Sequence, residues 1–324
     1  MMKTPISLII DDSAPLVHIY RSHVSPPLTR DGREIKTSVP NRLLSDFCDC
    51  VECYGLKGKF SVVPCPAGQG YINDTIDGFS REALTEWLHT ARTRLSPYFD
   101  FCPEILTHAR TVDLKSGGFL EETELAWSRH ATKEELSAYI AKALTICSDA
   151  GIRCTGVTSP WNFGEENEDA YVWGIADAFD KVFQQKTSWY FLHGLSEQKN
   201  IRAWVAYDNG GKTVISIPRT VADYFWGTID INDTSEAFIR HTADYFLTED
   251  GRHGAVIDAL NRGSFPVICT HWQSMFSNGN FTGVKALAVV AQRIESHLSD
   301  RVEWVNFSEQ AKSAMKDHIL RPEF

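Results

Sequence analysis

The sequence is poor in several things, and each shortage narrows its function. Basic residues are outnumbered, with 32 Lys and Arg against 42 Asp and Glu for a formal net charge of −10. A protein that grips a phosphate backbone carries a basic footprint, so nucleic acid is not an expected partner. No apolar run approaches the ~20 residues that span a bilayer, and MMKTPISLII runs into two aspartates without a small-residue cleavage site. No membrane association is expected, and the reading is of a soluble, cytoplasmic protein. The eight cysteines are too sparse for a disulfide framework. Three crowd into CDCVEC (Cys48, Cys50, Cys53), but a structural zinc site needs four ligands and the chain has no second C-x2-C. Ordinary reduced thiols are therefore expected. The turn after the first apolar run, DDSAP, has no glycine, which argues against dinucleotide binding.

What the sequence does have is a core: 43% of its residues are apolar and 11% aromatic. Short β-rich runs recur at 6–10, 59–63, 99–106, 153–158, 188–192, 266–271 and 302–306, several of them continuously apolar, as in strands covered on both faces. Amphipathic stretches alternate with them at 41–54, 81–95, 133–150, 165–184, 254–261, 283–297 and 308–316. In the third, Leu136, Tyr139, Ile140, Ala143, Leu144 and Cys147 fall on one helical face, Thr132 and Glu135 form a capping-box pattern, and Gly151 supplies a stop. Seven β/α units without a change in composition predict one α/β domain over 1–324, a (β/α)7 or distorted TIM-type barrel. A β-hairpin at 202–217, after the fifth strand, is expected to decorate it. The long first loop, 12–40, reads as a functional segment, either a lid or a source of His18 or His23 for the site.

In such a barrel, functional residues stand at the carboxyl ends of the strands. Those positions hold Asp11 and Asp12, then Glu104 to His108, Trp161, His193, His271 with Trp272, and Asn306. Carboxylates and imidazoles suit metal-assisted or acid/base hydrolysis, and indoles suit the faces of sugar rings. Neighbouring side chains on a strand point to opposite faces, so Asp11 and Asp12 can share a centre only if the chain bends there, and Ser13 and Pro15 offer a bend.

The ordered set LIIDDSAP, GVTSPWNFG and VICTHWQSMFSNG resembles the polysaccharide deacetylases, carbohydrate esterase family four, over about residues 6–315. The resemblance implies a catalytic base at Asp11, a metal ligand at Asp12, an imidazole ligand at His108 and a proton donor at His271. It also implies a divalent metal, zinc being one candidate, and a carbohydrate or small polar substrate, for which the strand ends and the first loop offer Trp161, Trp272, His18 and His193 as lining residues. Two positions depart from the family pattern. Val112 stands where a second imidazole ligand would be, with Glu104, Asp113 and His18 as substitute donors, and Thr158 stands where an arginine would orient the base. The family's fourth motif, an Asp and a Trp that tune the proton donor, has no visible counterpart. Glu104 and His108 are about 13 Å apart on an extended strand and can meet only if the chain coils after Pro103. Two other readings remain on the same scaffold: a metal-independent glycoside hydrolase or lyase, and a non-catalytic carbohydrate-binding protein. The oligomeric state is not legible.

Overall fold

The computed structural model describes residues 3–22 and 27–322, so His23 of the first loop lies outside the described residues. Its strands are β1 (Thr4–Asp11), β2 (Gly58–Val62), β3 (Phe99–Pro103), β4 (Arg110–Val112), β5 (Phe119–Thr123), β6 (Gly156–Thr158), β7 (Thr187–Phe191), β8 (Trp204–Asn209), β9 (Lys212–Ser216), β10 (Val267–His271) and β11 (Val302–Trp304). The architecture is mixed α/β. One sheet runs β10-β1-β2-β3 in parallel with β11 added to β1, and a second runs β6-β7-β9-β8. Single parallel bridges link the two: Phe101 with Cys154, Glu104 with Thr158, and Val221, beyond β9, with Ile268 of β10. Bridges rather than continuous ladders thus stand at two junctions, β3 with β6 and the segment after β9 with β10, where a regular barrel would have paired strands.

Strand composition explains the layering. All of Ile6–Ile10 is buried, because helices cover one face of β1 and side chains from other strands cover the other. On that inner side Ile9, Cys102, Trp189, Ile215 and Val267, one from each of five strands, form a cluster with Phe307, Ala311 and Ala314 of the helix Phe307–Lys316. The outer side packs Ile6, Leu8, Ile10, Phe60 and Phe101 against helices such as Asn41–Tyr54 and Lys133–Asp149. The latter helix buries the face read from its periodicity, and its capping box between Thr132 and Glu135 is formed.

Three expectations need correction. The hairpin at 202–217 is not a decoration: β8 and β9 do form it, but β9 pairs in parallel with β7 and so belongs to the sheet. The signal that misled was the Asn209-Gly210-Gly211 turn, which marks a hairpin but says nothing of what its second arm pairs with. The seventh expected strand, β11, pairs with Thr4–Ile6 at the start of β1, so its end is far from Asp11. Asn306 there caps a helix, accepting from the Glu309 N–H at 2.9 Å, and has no place in the site. The short helices Glu124–Ser128 and Trp272–Phe276 and the hairpin of β4 and β5 lack a period long enough to read.

Gly58, paired with Leu8, lets β2 approach β1: a Cβ there would lie 1.7 Å from the Leu8 carbonyl oxygen. Gly58→Ala is expected to cost at least about 1–3 kcal/mol, since backbone must shift to relieve the overlap. Gly227→Ala, whose Cβ would meet nothing within 4 Å, is expected to leave stability unchanged. Urea unfolding of the two variants checks the contrast.

Candidate active site

The two aspartates reach one cleft because the strand stops between them. Asp11 ends β1 and pairs in register with His271 of β10. Asp12 then takes a left-handed conformation, φ 58°, so the bend is made at Asp12 itself, ahead of Ser13 and Pro15. Such a conformation costs a non-glycine residue about 1–3 kcal/mol and persists only where neighbours hold it. Here the Asp12 N–H donates to Glu104 Oε2 at 2.6 Å, and Gln273 Nε2 donates to Asp12 Oδ2 at 2.6 Å.

Glu104 and His108 are brought together by the coil that their separation requires, with positive φ at Ile105 (46°) and His108 (59°). Sequence reasoning missed what holds that coil. The buried carboxylate of Glu124 accepts the N–H groups of Leu106, Thr107 and His108 at 3.2, 2.8 and 2.9 Å, and the Tyr139 hydroxyl at 2.8 Å. Burial raises the Glu124 pKa above the ordinary value, against the pull of these donors.

The result is a compact centre in which ligand atoms of Asp12, Glu104 and His108 lie within 4.8 Å of one another. His108 Nε2 is 2.7 Å from Asp12 Oδ1 and 3.3 Å from Glu104 Oε1. The other oxygen of each carboxylate is engaged elsewhere: Oδ2 by Gln273, and Oε2 by the Asp12 N–H and the Ser61 hydroxyl at 2.5 Å. One oxygen of each acid and one imidazole nitrogen thus face a common point, a donor set compatible with zinc or another divalent cation. The electrostatics agree. Burial alone would push His108 down, yet the Asp12 and Glu104 carboxylates hold its pKa well above the ordinary value. Asp12 is driven far below the usual carboxylate range by His108 and His271 despite its burial, while burial and the Asp12 and Asp11 charges push Glu104 up. Buried charges of this kind demand a cation among them, whether a proton on His108 or a metal.

The substitute donors separate. Glu104 is in the centre. Asp113 is not: it bonds Lys115 and Ser116 in the exposed turn between β4 and β5. Val112 is buried in β4, its N–H donating to the Tyr139 hydroxyl at 3.0 Å. His18 is buried, its pKa pulled down to about 4 by desolvation against the Asp12 charge, and among the described residues neither ring nitrogen has a hydrogen-bond partner. It lies outside the three-residue centre and does not line the cleft.

Beside this centre Asp11 forms a buried ion pair with Lys59 of β2, whose Nζ also donates to Thr158 Oγ1 at 2.6 Å. Burial opposes the Lys59 charge, but Asp11 outweighs it and the lysine pKa is raised. A cation therefore does reach Asp11, from strand β2 and not from the position that Thr158 occupies. The signal was available: Lys59 is a charge inside the apolar run KFSVV. Opposite, His271 Nδ1 lies 2.8 Å from Asp223 Oδ2, which also accepts the Ser274 hydroxyl at 2.8 Å, and the Trp226 ring meets the imidazole edge-on at 5.0 Å. Asp223 and Trp226 thus stand as an Asp and a Trp beside His271. They sit in the irregular segment VADYFWG, where no spacing announces them.

Asp11, Asp12, Glu104, His108, Asp223, Trp226 and His271 line one cleft of about 600 Å³. Trp161 lines it too, 60% exposed, with its ring 6.2 Å from that of His108. Trp272 does not. It is a core residue packed between Phe47 and Phe60 at 5.7 and 5.4 Å, because the helix that starts there turns it inward. His193 is likewise removed from the cleft, held by Glu168 at 2.7 Å and stacked on Trp204, although its neighbours Leu192 and Gly194 do line it.

No family model and no curated protein matches the chain. Solved structures do. A GH57-type branching enzyme from Pyrococcus horikoshii matches with TM-score 0.50 and 11% identity over 95% of this chain and 70% of that one. A 4-alpha-glucanotransferase from Thermococcus litoralis matches with TM-score 0.48 and 11% identity over 96% of this chain, which spans 40% of the glucanotransferase's length. A peptidoglycan N-acetylglucosamine deacetylase matches with TM-score 0.45 and 11% identity over 96% of this chain and 89% of that one. At such identity the likeness concerns the fold alone.

Two outcomes are expected. Burial would lower His271, but the Asp223 hydrogen bond and the Asp12, Asp223 and Asp11 charges raise its pKa to about 9 from 6.5. Its stabilising contribution is thus complete below 6.5 and lost as pH rises through about 9. NMR titration of the ring is expected to show deprotonation near 9, and in Asp223→Asn a midpoint moved down toward 6.5; an unmoved midpoint would break the assignment. Separately, Lys59→Met is expected to cost about 3–5 kcal/mol by leaving Asp11 buried and uncompensated. Adding Asp11→Asn should recover much of that loss, whereas additive losses in denaturant melts would contradict the pairing.

Proposed function

We propose that this chain is a metal-assisted hydrolase of the deacetylase type, cleaving an amide or ester on a carbohydrate or a related small polar substrate. The observation that carries the reading is the three-donor centre of Asp12, Glu104 and His108 standing beside Asp11 and His271, two residues in register on adjacent parallel strands. The strand order, with its bridges, is read as a distorted barrel whose carboxyl ends form the cleft. The eight free cysteines fit a reducing, cytoplasmic setting. Among the described residues no helix is long and apolar enough to cross a membrane.

Asp12, Glu104 and His108 would hold the cation, which when bound polarises the substrate carbonyl and acidifies water. Lys59 fixes Asp11 through Oδ1, leaving Oδ2, which the Cys269 thiol contacts at 3.8 Å, to take a proton from the attacking water. His271, protonated through its pairing with Asp223, gives a proton to the departing nitrogen or oxygen. Solvent then removes the proton from Asp11 and restores that of His271. Trp161 offers an exposed indole face to a sugar ring, and Trp226 positions the imidazole edge-on. A metal-independent glycosidase would hold its carboxylates about 5–9 Å apart across a groove. The collapse of Asp12 onto His108 at 2.7 Å speaks against that arrangement.

The test combines elemental analysis of the purified protein with acetate release from N-acetylated chitooligosaccharides. Asp12→Ala is expected to lose both metal and activity, and Asp11→Asn to keep the metal while losing about 10²–10⁴-fold in rate. Full turnover by metal-free protein would sink the mechanism, and unchanged turnover in Asp11→Asn would remove the base.

A further inference from the structure

The cleft has a second polar feature that the hydrolytic chemistry leaves unused. Arg219 lines it on the segment that follows β9, and its backbone is fixed from both sides: its N–H donates to the His193 carbonyl at 3.0 Å and its carbonyl accepts from Leu195 at 2.9 Å. The guanidinium lies flat on Gly194. A Cβ at Gly194 would come within 2.7 to 2.8 Å of Nη2, Cζ and Nε, so glycine is what lets the side chain rest there. Nη1 donates to the Ser196 hydroxyl at 3.1 Å, and among the described residues Arg219 makes no ion pair. Arg30, the other arginine at the rim, differs: it is bound to Asp230 at 3.3 Å.

A guanidinium is always charged and presents donors in a planar fork that matches carboxylate and phosphate oxygens. Held half-buried on a chain of net charge −10, it has no acidic partner among the described residues. Its charge reaches the Cys269 thiol, which contacts Asp11, so it stands on the side of the cleft where the chemistry is proposed.

We infer that Arg219, cradled on Gly194 and Ser196, is a specificity subsite for an anionic oxygen group, a carboxylate or phosphate, carried by the substrate. The inference deepens the hydrolase reading and rests on it for the identity of the cleft, while the charge recognition stands on its own residues.

Titration calorimetry on the full chain with four probes tests it: glucose, glucuronate, glucose 6-phosphate and inorganic phosphate. One or both charged sugars are expected to bind at least about tenfold tighter than glucose, the scale of one charge-assisted pair, and which of them does so separates carboxylate from phosphate. Arg219→Ala should abolish that preference without weakening glucose, and Gly194→Ala should reduce it by dislodging the guanidinium. Asp12→Ala, which removes the candidate cation centre, should leave the preference intact. Phosphate bound through Arg219 with no gain from a sugar would keep the anion subsite and remove the carbohydrate reading. Equal affinities for charged and neutral sugars, no binding of any probe, or a preference that survives Arg219→Ala would overturn the inference.

Discussion

One buried carboxylate, Glu104, ties the ends of four strands together. Its Oε2 accepts the N–H of Asp12 beyond β1 and the Ser61 hydroxyl of β2, its Oε1 faces His108 after β3, and its own backbone bridges Thr158 of β6. The left-handed turn at Asp12, which aims the second aspartate into the cleft, depends on that bond. So does the geometry of the donor centre, because Glu104 is left with one oxygen to offer. A hydrogen bond to a buried charge is stronger than one between neutral groups, which is the kind of anchor a strained turn needs.

Charge is apportioned around this point so that adjacent acids do not compete. Asp11 is matched by Lys59 from within the sheet, Asp12 by His108, and Asp223 by His271. Each pair is buried or nearly so, where an unpaired charge would be costly. Two aspartates next to each other in sequence therefore acquire different environments, one facing an ammonium and the other an imidazole. Their proposed roles, base and ligand, follow that division.

Much of this was legible in the sequence, and the limits have physical causes. Long periodic segments such as 41–54 and 133–150 form helices over nearly the expected residues, since a continuous apolar face and its caps are local signals. Asp11, Asp12, Glu104, His108, Trp161 and His271 do line one cleft, because parallel strands deliver their carboxyl ends to one side. Trp272 and His193 were misplaced since a strand-end position does not tell which way the following turn points a side chain. Lys59, Asp223 and Glu124 act through partners 48, 48 and 16 residues away, distances that no local pattern encodes. The place of Glu104 beside Asp12 and His108 was visible only as an available donor. The positive φ values at Ile105 and His108 that make it a neighbour belong to the folded chain.

The origin of the cation beside Asp11 has a consequence for how the cleft can be shaped. An arginine placed on the turn after β6 would have made that turn part of the electrostatic machinery. With the ammonium supplied from the interior of β2, the turn carries only Ser159, Trp161 and Asn162 into the cleft. Charge and contour are thereby assigned to different parts of the chain: the sheet interior supplies the counter-charge of Asp11, and the surface turn is free to be fitted to whatever lies against it.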